Sequence, residues 1–132
     1  MDNLIIDLKA DHVRLAEKIN EAKNTGLSSG AGRQLLISIK NDLLDHLKKE
    51  DEKLYPKLHE LGARDVEIKR VLDSFAKDME AITQFALSFF DKYTRESSSI
   101  DFYKDIGRLL AALSDRIRKE EGVLYAIYER NI

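Results

Sequence analysis

Helix breakers are scarce in this chain. One proline and six glycines serve 132 residues, and most of them are grouped. Thr25 to Gly32 (TGLSSGAG), Gly62-Ala63 and Arg95 to Ser99 (RESSS) read as breaks, and between them little stops a helix from propagating. The four segments so defined carry apolar residues at helical spacing. Ile5, Leu8, Leu15 and Ile19 fall on one face of the first segment, and Leu36, Ile39, Leu43 and Leu54 on one face of the second. The third carries Ile68, Val71, Phe75, Met79, Ile82, Ala86 and Phe89; the fourth carries Ile106, Leu109, Leu113, Ile117, Leu124 and Tyr128. Four long amphipathic helices with short connections predict an all-α fold, an antiparallel up-down-up-down four-helix bundle, with residues 1–132 as one domain. Asp2 and Asp101 are expected as N-caps and Gly62 as a helix stop, with Pro56 kinking or ending the second helix near its last turns.

Composition narrows the function classes. The absence of cysteine removes disulfides, thiolate metal sites and cysteine nucleophiles together. A formal charge of −2 gives no electrostatic pull toward nucleic acid. No apolar stretch approaches membrane length, and Met1 to Asp7 lacks a basic leader region, so a cytoplasmic protein that does not engage membranes is expected. No G-x-G-x-x-G, P-loop or serine-nucleophile pattern supports hydride, phosphoryl or acyl transfer, and no enzymatic activity is assigned.

Most charged residues lie off the apolar stripes and form a solvated face. The informative ones lie on them. His12 occupies the missing step between Leu8 and Leu15. His46 and Glu50, four apart, share one face between Leu43 and Leu54. Arg116, Glu120 and Glu121 fall along or beside the fourth stripe. Burying any of these without a partner costs several kcal/mol. A lone histidine on an apolar face is usually a satisfied core residue, and His46 with Glu50 also reads as a buried hydrogen-bonded pair. His12, His46 and Glu50 together on adjacent helices point to a metal site, and imidazole with carboxylate suits iron, manganese or zinc. His59, near a helix end, is expected at the surface; Tyr55, Tyr125 and Tyr128 are expected in helix-end packing.

The chain also echoes itself. His46-Leu-Lys-Lys-Glu50-Asp-Glu-Lys-Leu54-Tyr55 aligns without gaps on Arg116-Ile-Arg-Lys-Glu120-Glu-Gly-Val-Leu124-Tyr125, which pairs Glu50 with Glu120 and His46 with Arg116.

Three stations, Asp11-His12-x-x-Leu15, His46-x-x-x-Glu50-x-x-x-Leu54-Tyr55-Pro56 and Arg116-Ile117-x-x-Glu120-Glu121-x-x-Leu124-Tyr125, resemble those of the bacterial hemerythrin-like proteins, the HHE cation-binding domain. The resemblance covers essentially the whole chain. It implies a di-iron centre held by five histidines and two bridging carboxylates, binding oxygen or reporting on oxygen or nitric oxide. This chain departs from that pattern: Val66 to Tyr93 contains no histidine, and Arg116 stands where the fourth helix would carry one. By the family's spacing the surviving ligands are His12, His46, Glu50 and Glu121, whereas the internal echo selects Glu120. Such a set implies one divalent ion, iron, manganese or zinc, with a small diatomic ligand as partner. Arg116 would replace the absent cation's charge, while Phe75 and Met79 fill the vacated volume. The alternatives are a metal-free descendant acting as a protein-interaction or signalling module, with Arg116 paired to Glu50 and Glu121; a histidine phosphotransfer domain, which requires His46 to face solvent; and a mononuclear iron oxidase.

Overall fold

The apolar spacing that predicts helices also dictates how they pack, because each helix can shed water from its stripe only against another. The computed structural model describes residues 3–27, 30–95 and 100–131. Four helical rods form an all-α bundle. The first is α1 (Leu4–Thr25). The second is α2 (Gly30–Lys49), continued through a π-helical turn at Glu50–Leu54 into α3 (Tyr55–Gly62). The third is α4 (Val66–Arg95). The fourth is α5 (Phe102–Lys119), continued through a second π-helical turn at Glu120–Leu124 into α6 (Tyr125–Arg130).

The core is split in two. Leu15, Ile19, Leu36, Ile39, Leu43, Phe89, Phe90, Phe102, Leu109 and Leu113 belong to one buried apolar cluster. Leu4, Ile5, Leu8, Leu54, Leu58, Leu72, Leu124 and Tyr128 belong to another. Burying each such side chain contributes roughly 1.5–3 kcal/mol. Between the clusters in sequence order come His12 on α1, His46 and Glu50 on the second rod, and Arg116 and Glu120 on the fourth, all buried. α1 passes from the Leu4 cluster to the Leu15 cluster, and each later rod crosses in the sense opposite to its predecessor. The polar layer is therefore clamped between two dry regions.

The breaks fall where the sequence places them, with local differences. α2 starts at Gly30, inside the expected loop, because Gly32 packs directly on the α1 terminus: a Cβ there would lie 1.7 Å from the Gly26 carbonyl oxygen. Gly26 itself has φ of 71°, a conformation that glycine adopts without steric cost. Asp101 stands at the N-cap of α5, yet its side chain makes no capping hydrogen bond; Asp2 lies outside the described residues. Among the described residues a side-chain cap forms at Asp65, whose carboxylate accepts from the backbone N–H groups of Glu67 (2.9 Å) and Ile68 (3.3 Å). Pro56 does not end its rod. It sits in the first turn of α3, just after the π-helical turn, where the preceding ladder is already re-registered and the missing N–H costs little.

Candidate metal centre

The two histidines meet inside the bundle. His12 Nε2 and His46 Nε2 are 3.2 Å apart, and each ring is only 3% exposed. Their outer nitrogens are both held by carboxylates. His12 Nδ1 donates to Glu121 Oε2 at 2.7 Å, and His46 Nδ1 donates to Asp11 Oδ2 at 2.9 Å. A carboxylate accepts and does not donate, so each ring carries a proton on Nδ1. The two Nε2 atoms therefore face one another with room for at most one proton between them. Asp11 also accepts from Lys49 Nζ at 2.9 Å. Burial pushes the Asp11 carboxyl up, but the hydrogen bonds from His46 and Lys49 outweigh it and hold the group below the usual carboxylate range. Burial pushes His46 down, against the opposing hydrogen bond to Asp11, so this ring is kept neutral.

The carboxylates arrive from the two π-helical turns. The Tyr125 hydroxyl donates to Glu50 Oε2 at 2.8 Å, and this hydroxyl oxygen also lies 3.2 Å from Glu120 Oε2 and 3.2 Å from His12 Nε2. Arg116 donates from Nε to Glu120 Oε1 at 2.9 Å and from Nη1 to Thr83 Oγ1 at 2.8 Å, while its Nη2 lies 3.6 Å from Glu50 Oε1. Glu50 Oε1 is also 3.6 Å from His46 Nε2, and among the described residues it is the one fully buried side-chain polar atom without a hydrogen-bond partner.

The two buried glutamates differ in charge. Burial, then the neighbouring carboxylate of Glu120, pushes Glu50 up to about 10, so it holds a proton at neutral pH. Burial pushes Glu120 up as well, but the hydrogen bond with Glu50 and the charge of Arg116 prevail and draw it down. Arg116 in turn is pushed up, the two glutamates overcoming the effect of its burial.

The family model described as the hemerythrin HHE cation binding domain matches residues 3–128. The chain belongs to this family. No curated protein and no solved structure matches it. A cation-binding reading of this HHE domain has to pass the test of its own donor atoms, and it does. Ligand atoms of His12, His46 and Glu120 all lie within 4.8 Å of one another and could hold one ion. Two ligands bound at about 2.0–2.1 Å and roughly at right angles stand about 3 Å apart, and the Nε2 pair meets that spacing at 3.2 Å. The orphaned Glu50 Oε1 supplies a further oxygen. Asp11 and Glu121, each bound to an outer imidazole nitrogen, are the partners that fix tautomer and ring orientation in metal-bound histidines.

Of the four residues expected as ligands, His12, His46 and Glu50 converge in the polar layer. Glu121 sits at its edge, on the Nδ1 side of His12, with its side chain 35% exposed, while Glu120, the choice of the internal echo, is buried beside Arg116. Sequence reasoning missed three residues. Tyr125, expected in helix-end packing, lies at the centre of the cluster. Asp11 carries no sequence mark beyond its place next to His12 in the first motif, yet it holds His46 Nδ1. Thr83 breaks the apolar face expected of α4, where it anchors Arg116. Met79 is buried as expected, whereas Phe75 is half-buried and packs against the Leu4 cluster. His59 is exposed, as its position near a helix end suggested.

Proposed function

We propose that this HHE domain binds a single divalent metal ion, iron, manganese or zinc, through His12, His46, Glu120 and Glu50. Through that ion it would sense oxygen, nitric oxide or redox state, or handle the metal itself. The observation that carries this reading is the pair of buried Nε2 atoms that face each other 3.2 Å apart. With each Nδ1 proton committed to a carboxylate, the two buried Nε2 atoms 3.2 Å apart call for a proton or a cation between them, and burial disfavours the charged form of His46. A bound ion would supply Lewis acidity and, if iron, one-electron redox chemistry. A cavity of about 20 Å³ walled mainly by Leu15, Ile19, Leu43, Leu110, Leu113 and Ile117 abuts His12 and His46, room for one water or one small diatomic molecule. Because Arg116 stands where the family's fourth helix would carry a histidine, sensing is favoured over reversible oxygen carriage, which draws its second electron from a second iron.

The test is metal analysis of untagged protein after reconstitution with iron, manganese and zinc in turn. About one equivalent of at least one metal is expected in the wild type, with a loss of a hundredfold or more in affinity for His46→Ala, since a direct ligand outweighs the 10–100-fold of a supporting residue. No uptake of any of the three by the wild type would end the proposal.

That outcome would favour the second reading, a metal-free module in which Arg116 alone balances the glutamates. Its support is the 2.9 Å Arg116–Glu120 pair and the 3.6 Å approach to Glu50. Phosphotransfer has no such support: His46 is buried against His12 and cannot reach a phosphoryl donor.

A further inference from the structure

The hydroxyl of Tyr125 stands among the donor atoms rather than outside them. Its oxygen is 3.2 Å from His12 Nε2, 2.8 Å from Glu50 Oε2 and 3.2 Å from Glu120 Oε2, so it touches three rods at once. Its ring stacks on that of His12, with centroids 5.6 Å apart and planes inclined by 10°. One phenolic proton serves three acceptors, and the shortest contact is to Glu50. These separations of 2.8–3.2 Å match the spacing between neighbouring ligands on one ion.

The backbone explains how the oxygen gets there. Glu120 and Tyr125 are five residues apart, and in a regular α-helix such positions point about 140° away from each other. The π-helical turn at Glu120–Leu124, closed by the Tyr125 N–H donating to the Glu120 carbonyl, brings both side chains to the same face. The second rod repeats the turn, but its tyrosine, Tyr55, is half-buried and borders the separate cleft that Arg116 and Thr83 also line. Of the two repeated tyrosines, only Tyr125 is hydrogen-bonded into the cluster.

We infer that Tyr125 is a further ligand of the centre, its phenolate oxygen binding when the site holds trivalent iron. The inference rests on the metal-binding reading above. An anionic phenolate oxygen is a hard donor matched to a hard, highly charged cation, and much less is gained from it by a divalent one. On loading with ferric iron the phenolic O–H bond breaks, an O–Fe bond forms and the proton leaves to solvent. When ferrous iron is loaded first, an external one-electron oxidant such as ferricyanide takes the electron. The site thereby discriminates between oxidation states, holding ferric iron more firmly than a divalent ion of similar size.

The experiment loads the full chain with ferric iron from its nitrilotriacetate complex and, separately, with zinc, and records visible absorption and resonance Raman spectra. A phenolate-to-iron charge-transfer band with tyrosinate ring vibrations is expected in the wild type. Tyr125→Phe is expected to lose the band and about a hundredfold or more in ferric affinity, since a direct ligand outweighs the 10–100-fold of a supporting residue, with zinc stoichiometry unchanged. Tyr55→Phe and Tyr128→Phe keep the band. Should Tyr125→Phe fail to fold, persistence of the band in phenylalanine variants of the other four tyrosines assigns it to Tyr125, and its loss in any of them overturns the assignment. Wild type that takes up zinc and iron but shows no band, or a band that survives Tyr125→Phe, overturns this inference alone. Wild type that takes up neither metal overturns it together with the metal-binding reading.

Discussion

The second and fourth rods are built on the same ten-residue pattern and carry it to opposite electrostatic ends. In both, a buried glutamate opens a π-helical turn, a fully buried leucine closes it, and a tyrosine follows. The residue four positions before the glutamate is His46 in one rod and Arg116 in the other. Burial is nearly the same for the two glutamates, at 0% and 1% exposed, yet Glu50 is pushed up to about 10 while Glu120 is drawn down. Burial alone therefore does not set the charge of an interior carboxylate. Its partners do: the hydrogen bond with Glu50, and then the Arg116 guanidinium, which is always charged and donates to Glu120 directly at 2.9 Å, hold Glu120 down. The second difference is Pro56, which follows the first π-helical turn, where Ala126 stands after the second. Since both turns form, the proline is a passenger of the turn and not its cause.

Removing Arg116 would break the comparison most severely. Arg116→Ala leaves the buried Glu120 carboxylate without its countercharge, and metal-free protein is expected to lose about 3–5 kcal/mol by urea unfolding. An unchanged midpoint would show that Glu120 is not held ionised by it. Next in size is the contrast between the glutamates themselves. Glu120→Gln strands the buried Arg116 charge and is expected to cost about 2–4 kcal/mol, whereas Glu50→Gln swaps a protonated carboxyl for a near-isostere and is expected to cost under about 1 kcal/mol. Equal losses would erase the asymmetry.

The pH dependence sharpens the same point. Glu50 binds its proton more tightly folded than unfolded, so its contribution is fully present below about pH 4.5 and is lost as pH rises toward 10. Asp11 and His46 have the opposite sign, their lowered values adding stability as pH rises, and His46 finishes near neutrality. Between about pH 7.5 and 9.5, metal-free wild type is thus expected to lose up to about 1.4 kcal/mol per pH unit more than Glu50→Gln does. Parallel slopes would mean that Glu50 is already ionised. The smallest effect belongs to Pro56→Ala, expected within about 1 kcal/mol of wild type by thermal unfolding, with helix content by circular dichroism unchanged. A large loss would make the proline an architect of the turn after all.

Much of this was legible in advance. Breaker positions and apolar spacing locate the rods, and the polar residues that interrupt the stripes at His12, His46, Glu50 and Arg116 are the buried ones. The internal echo also anticipates that Glu120 pairs with Glu50 in the interior. Less legible were contacts between rods whose partners are distant in the chain. Thr83 meets Arg116 across 33 positions and Asp11 meets His46 across 35, and neither carries a local mark of its partner. Tyr125 was hidden for a different reason: counting at 3.6 residues per turn places it off the face of Glu120, and only a π-helical turn brings it back.

Amino-acid order alone thus determined the helices, the depth at which polar groups enter the core, and the family. The first two follow from periodicity and from side-chain chemistry, which are local, and the family is carried by the resemblance of three short motifs. Tertiary packing decided the rest: which nitrogen of each imidazole carries its proton, which glutamate is charged, and that the oxygen of Tyr125 stands among them. Each of these depends on the distance between groups on different rods, and electrostatic and hydrogen-bond energies are steep functions of that distance.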